Sequence, residues 1–451
     1  MQGRPSILAV SLLLFAGTVD AAEPTAAERG ERAMLGRHFT PPTFSPPAYE
    51  NVWKLWDGGL KEKPANYHAA FRDYYGMHEA PYPNNGYPMG LREAAGLFNR
   101  KLLASDCLLC HAGSILGKSY IGLPNTALDM DSMFADLTGA DGMPRKTPFV
   151  FTNVRGTTEA GSMAVWLLEM RDPDLKLRSP RLNLELKPHL CEDAPAWWLL
   201  KKKKTMYHTG GSDARSVRSL MQFMMSPLNG PTVFRKEEAT FADIQQYLLS
   251  LTPPKYPFPI DQELAKKGAA LFGESCARCH GTYGEKWTYP NKIVALDEIG
   301  TDPTRYHGIS AAFGEYYNHS WFTQEKAGWL VDEYAARTSP GYQAPPLDGL
   351  WATAPYFHNG SAPTVADVLS SKARPKVFTR SYRTDEAAYD ASKLGWKVQL
   401  LQRGADEKMT DHARRKIYDT TQPGRGNGGH TYGDHFSDEQ RRAVIEYLKT
   451  L

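Results

Sequence analysis

Two short segments carry residue types at a spacing that does chemistry: Cys107-Leu-Leu-Cys110-His111 and Cys276-Ala-Arg-Cys279-His280. Both read C-x-x-C-H. Two thiols separated by two residues match the separation of the two vinyl groups of a haem, to which they add as thioethers. The histidine that follows places its imidazole on the iron from the same turn of chain. Other uses of the pattern lack their context. A thioredoxin-like pair needs a βαβ setting, and a zinc site needs a second ligand pair at matching spacing; neither accompanies these motifs. The sequence therefore predicts two covalently bound haems c. The fifth cysteine, Cys191, has no partner spacing, and the odd count argues against a disulfide framework.

The motifs must be held by helices. Asp261 is a good N-cap, and Leu264, Gly268, Leu271 and Phe272 form one face of a helix that runs directly into Cys276. Leu91-Arg-Glu-Ala-Ala-Gly-Leu97-Phe98 is the corresponding expectation ahead of Cys107. Each unit also closes alike: Ile244, Tyr247, Leu248 and Leu251 form an apolar stripe, and Val444, Tyr447, Leu448 and Leu451 repeat it 200 positions later. Thr240 and Ser437 stand before these stripes as capping-box-like starts. Between the units lies Thr252-Pro-Pro-Lys-Tyr-Pro-Phe-Pro259, which cannot continue a helix. The expected fold is mainly α: two cytochrome c-like domains, 22–252 and 260–451, with long irregular inserts at 112–240 and 281–436. A pure electron carrier does not need so much inserted chain, which hints at a catalytic site.

The net charge of +3, from 53 basic and 50 acidic residues, argues against a nucleic-acid partner. Arg4, the apolar run Ile7 to Ala16 and the small residues before Ala22 read as a secretory signal over residues 1–21. The run is too short to span a bilayer. A periplasmic or secreted protein without a membrane span is expected.

The stretch Ala344-Pro-Pro-Leu-Asp-Gly-Leu-Trp-Ala-Thr-Ala-Pro-Tyr-Phe-His-Asn-Gly-Ser361 resembles the signature of the dihaem cytochrome c peroxidase and MauG superfamily. Within it, the RoxA-type rubber oxygenase-like cytochromes are most similar. Pro195-Ala-Trp-Trp-Leu-Leu, Ile299-Gly-Thr-Asp-Pro303 and Tyr418 through His430 point the same way. The resemblance implies a division of labour. One iron is saturated by two protein ligands and handles electrons, while the other stays open to O₂ or H₂O₂. A small redox protein donates or accepts the electrons. By this analogy the haem on His111 is the reactive one, and a tryptophan, Trp166 or Trp198, relays electrons between the haems. A histidine near the C-terminus completes the second iron. His430, in the glycine loop 426–433, is the choice over His435, His412 and Met409. The resemblance also implies one Ca²⁺ held by carbonyls of Thr353 and Pro355 and the side chain of Asn153, and a structural role for His358.

Of the residues themselves, His208 is a candidate acid–base group in a pocket built from residues 160–225. Lys201 to Lys204 read as a solvated face or as partners for haem carboxylates. Three functions stay open at this point: an oxygenase-like enzyme, a cytochrome c peroxidase, and a non-catalytic electron-transfer cytochrome.

Overall fold

The computed structural model describes residues 22–96, 98, 100–143, 147–324 and 340–451; the expected signal segment 1–21 lies outside the described residues. Two helix pairs frame the molecule. In the C-terminal half, helix Gln262–Ser275 starts on Asp261, whose side chain accepts from the Leu264 amide, and packs against the closing helix Asp438–Leu448. The latter begins with a full capping box between Ser437 and Gln440. The two helices meet at Gly268: a Cβ there would lie 1.9 Å from the carbonyl oxygen of Ala443.

The N-terminal half repeats this contact. Its closing helix, Pro231–Ser250, is longer than the stripe suggested and starts at Gly230 rather than Thr240. Its partner is helix Ala26–Gly36, opened by a capping box between Thr25 and Glu28. The crossing point is Gly30, where a Cβ would lie 2.0 Å from the carbonyl oxygen of Asp243. Asp243 and Ala443 are the equivalent positions of the two closing stripes, so the internal repeat is geometrical as well as sequential.

The segment expected to be the opening helix of the first unit is instead a strand. Leu91–Ala95 pairs antiparallel with Lys101–Ser105, Leu91 opposite Ser105. Leu and Ala are among the strongest helix formers, but propensity is a small term that tertiary pairing outweighs. Here Leu91 and Leu103 are fully buried. Gly90, at φ +89°, brings the backbone within 2.4 Å of where its Cβ would meet Leu109. The hairpin thereby delivers Asp106 to the first motif.

The expectation of a mainly α fold is also corrected. Of the described residues, 37% are helical and 12% are in strands. The inserts contain short helices, two-stranded hairpins and one three-stranded sheet in the order Gln399–Leu400, Val377–Thr379, Ile417–Asp419. With 18 prolines and 26 glycines between them, the inserts form few long helices, and their backbone groups pair locally in turns and hairpins. Residues 252–260 run without regular structure between the two halves. Among the described residues no helix is long and apolar enough to cross a membrane.

Candidate functional site: a histidine-lined cavity on the second motif

Both C-x-x-C-H motifs form a single helical turn. In each, the histidine amide bonds the carbonyl of the first cysteine, His280 to Cys276 at 3.0 Å and His111 to Cys107 at 3.1 Å. The thiols and the imidazole therefore project from one turn, as thioether attachment and ligation by the same segment require.

The second motif opens into a cavity of about 260 Å³ lined by Cys276, Cys279, His280 and His430. The carbonyl of Pro345 accepts from Nδ1 of His280 at 2.8 Å. That bond fixes the tautomer with Nε2 free to bind a metal, as second-shell carbonyls do for ligating histidines. Across the cavity stands His430. The two ring centroids are 6.3 Å apart, with the planes at 60°. With metal–nitrogen bonds of about 2.0 Å, two axial imidazoles are expected roughly 6 Å apart, centre to centre. The donor set and spacing thus fit a haem iron held between His280 and His430.

His430 is held from several directions. Its amide bonds the Ile299 carbonyl at 2.7 Å. The guanidinium of Arg374 donates to the carbonyls of Asn427, Gly429 and His430. Gly429, at φ +68°, lies so close to Gly300 that a Cβ would come within 2.2 Å of the Gly300 carbonyl carbon; only glycine allows this approach. Nδ1 of His430 is buried without a hydrogen-bond partner. Burial pushes the imidazole down to about 4, which keeps it neutral and able to ligate.

The first motif is set differently. Asp106 accepts from the Leu108 amide and pairs with the buried guanidinium of Arg92 at 2.6 Å. The His111 ring stacks on Trp197, centroids 4.7 Å apart and planes at 19°. Its Nδ1 is buried without a hydrogen bond of good geometry, although the Pro195 carbonyl nearby favours its protonation; burial dominates and pushes the imidazole down to about 4. Burial also raises the Cys107 and Cys110 thiols to about 12. Pro195 and Pro345 thus approach His111 and His280 in parallel fashion.

The structure separates the two candidate relay tryptophans. Trp198 is fully buried and its indole donates to the Asp348 carbonyl at 2.8 Å. It packs in the core of the second unit with Phe272 and Trp351. Its neighbour Trp197 stacks on His111, so two consecutive residues span from the first motif to the core behind the second. Trp166 packs edge-on against Phe149 within the N-terminal half.

His208 lies in the cavity of the second motif rather than beside His111. Its Nε2 is engaged by the Asp193 carbonyl at 2.7 Å, and its ring is 6.1 Å from that of His358. Burial pushes both imidazoles down to about 3. His358 stacks on Tyr342 at 4.1 Å. His412 bonds Asp129 and stacks on Tyr74, and His435 packs on Phe436. Met409 is exposed.

Thr353 and Pro355 line the same cavity. The Asn153 amide group donates to Glu159, and its oxygen faces His189 Nδ1 at 3.1 Å. The four lysines are not a uniform solvated face. Lys202 is buried against Asp348 at 2.7 Å, and Lys203 lines the cavity.

Sequence reasoning missed three parts of this site. The Pro345 carbonyl and the Trp197 stack carry no sequence pattern of their own. The Arg374 clamp acts on three backbone carbonyls more than 50 positions away. Helix Ala26–Gly36 had a readable signal, the Thr25-x-x-Glu28 capping box followed by Gly30.

Two curated relatives match the chain, both uncharacterised proteins of Sinorhizobium fredii (strain NBRC 101917 / NGR234). The protein y4iM is 31% identical over 243 residues, 46% of this chain and 53% of the relative. The protein y4iJ is 30% identical over 340 residues, 58% of this chain and 54% of the relative. The chain thus spans about half the length of the curated relatives it matches. Residues 341–379, which contribute Tyr342, Pro345, Thr353, Pro355, His358 and Arg374, match the family described as RoxA-like, cytochrome c-like. That segment is similar to a RoxA-like, cytochrome c-like domain, a likeness that agrees with haem c binding.

Proposed function

We propose that this chain is an exported dihaem c-type cytochrome enzyme. The haem on Cys107, Cys110 and His111 would supply an iron that activates O₂ or H₂O₂, and the haem on Cys276, Cys279 and His280 one that stores and relays electrons. The observation that carries the reading is the inequality of the two motif histidines. His280 faces His430 across a cavity at axial-ligand spacing. The ring partner of His111, among the described residues, is Trp197 and not a second imidazole.

The chain's residues have distinct tasks in this scheme. Pro345 orients His280; Arg374 and Gly429 hold His430 in place; Trp197 and Trp198 place two adjacent redox-active indoles between the first motif and the core of the second half. A small redox protein outside the chain exchanges electrons with the second site. Mature dihaem protein tests the proposal by electron paramagnetic resonance and by carbon monoxide binding after reduction. One low-spin bis-imidazole iron and one iron that binds carbon monoxide are expected. Two low-spin irons that never bind carbon monoxide, in any redox state, would make the chain a non-catalytic carrier. Rapid peroxide turnover with a reduced cytochrome would make it a peroxidase rather than an oxygenase.

A further inference from the structure

The four consecutive lysines 201–204 part ways in the fold. Lys201 Nζ donates to the Leu251 carbonyl at 3.3 Å. Lys202 pairs with Asp348 and lies over the rings of Tyr283 and Trp287. Lys203 lines the cavity of the second motif, and no described residue gives its ammonium an anionic partner. The position is fixed by its neighbours: its own amide bonds the Leu200 carbonyl at 3.0 Å, and the Lys204 amide bonds Asn291 at 2.9 Å.

Lys203 is half-buried, and an ammonium drawn partly out of water without a counter-charge is costly. Burial pulls Lys203 down to about 8. The two acids that line the cavity, Asp193 and Asp348, do not resolve this, since Asp348 is engaged by Lys202. Burial drives the Asp193 carboxyl strongly towards the neutral form, and Arg380 is the cation that opposes that shift. The other charged or titratable group close to Lys203 is His208, held neutral by burial. Lys203 therefore has no described carboxylate of its own, and the group that the two cysteines would tether in the cavity carries two. Thioether bonds to Cys276 and Cys279 occupy the vinyl positions, so the propionates must reach the wall away from the cysteines. Lys203, contributed by the N-terminal half, is among the residues that line the cavity.

We propose that Lys203 pairs with a propionate of the haem held by His280 and His430, so that the first half of the chain sets the charge at the second half's site. The assignment rests on the haem-binding reading of this cavity. A cation near the iron favours the ferrous state, which carries one positive charge fewer.

The test uses the mature dihaem protein and its variants Lys203→Met and Lys203→Arg, with Lys203→Gln as the second neutral variant should the methionine form fail to mature. The midpoint potential of the bis-imidazole haem is followed through loss of its low-spin resonance on reduction. Losing the charge should lower the reduced-to-oxidised ratio at fixed potential about tenfold, equivalent to about 59 mV for one electron. Arginine should stay within about twofold of wild type. A neutral variant within twofold of wild type overturns the assignment. So does a wild-type midpoint that moves with added acetate while that of the neutral variant does not, since the partner would then be an exogenous carboxylate. Haem counting by pyridine haemochrome separates the two levels. A wild type with no bis-imidazole signal sinks the reading of the cavity itself. A wild type with two haems and that signal leaves only Lys203 in question.

Discussion

The substitution Gly268→Ala separates the packing account from simple propensity. In an exposed helix interior, replacing glycine by alanine stabilises by about 1 kcal/mol. At Gly268 the new methyl would lie 1.9 Å from the Ala443 carbonyl oxygen and 2.4 Å from its carbon. A carbon–oxygen contact needs roughly 3.3 Å, so the helices must part by more than 1 Å along their closest line. Overpacking into a rigid element costs about 1–3 kcal/mol and occasionally more. The obstacle here is backbone of a second helix, which cannot swing aside, so a net loss of about 2 kcal/mol is expected. Gly273 is the internal control. It lies in the same helix with nothing within 4 Å of a new Cβ, and alanine there should stabilise by up to about 1 kcal/mol. Urea unfolding of the mature protein, followed by Soret absorbance, reads both variants as shifts of the midpoint. A Gly268→Ala protein as stable as wild type, or more so, refutes the close-crossing account. Gly30→Ala should behave as Gly268→Ala does, because its Cβ meets the equivalent carbonyl of Asp243 at 2.0 Å.

Three further outcomes follow from the site. His430→Gly removes the imidazole facing His280 and should turn the second iron from low-spin to carbon monoxide-binding; an unchanged low-spin signal would assign that ligand elsewhere. Arg374→Met strips the charged donor from the carbonyls of residues 427, 429 and 430. It should cost about 3 kcal/mol, measured by chemical denaturation, and partly expose the second iron to carbon monoxide. The third concerns pH. Burial lowers buried His78 to about 4, against its hydrogen bond to Asn125. The unfolded chain therefore binds the proton first on acidification. Stability is complete above about pH 6.5 and falls towards pH 4, by about 3 kcal/mol over that window. His78→Gln, which retains a hydrogen-bond donor for Asn125, should flatten the slope between pH 6.5 and 4; a slope unchanged from wild type would place the titration on another group.

What the sequence settled alone is what lies within a turn or two of chain. Two thiols and an imidazole must come from five consecutive residues, so C-x-x-C-H declares its chemistry without a fold. Caps at Asp261 and Ser437 and the paired closing stripes are equally local, because helix ends are satisfied by residues three positions away. The opening helix of the first unit escaped because 70 residues of insert separate Gly36 from Cys107, and the weak helical pattern at Leu91 lost to strand pairing with Lys101–Ser105. The expectation of a mainly α chain failed for the same reason: the inserts obey tertiary pairing rather than periodicity.

The difference between the two motifs was decided by the tertiary structure. His430 stands 150 positions from His280 in sequence, and one of several histidines could have faced it. The choice was made by Gly300, Gly429 and Arg374 fixing a loop backbone. His208, read as an acid–base group of the 160–225 pocket, fell to the second motif because its own carbonyl accepts from the Gln343 amide and the Lys204 and Thr205 amides bond Asn291. Attachment chemistry is a property of covalent neighbours, and the sequence holds it in full. Which imidazole faces an iron, and which lysine is left in a cavity without a counter-ion, depends on distances between segments that only packing sets.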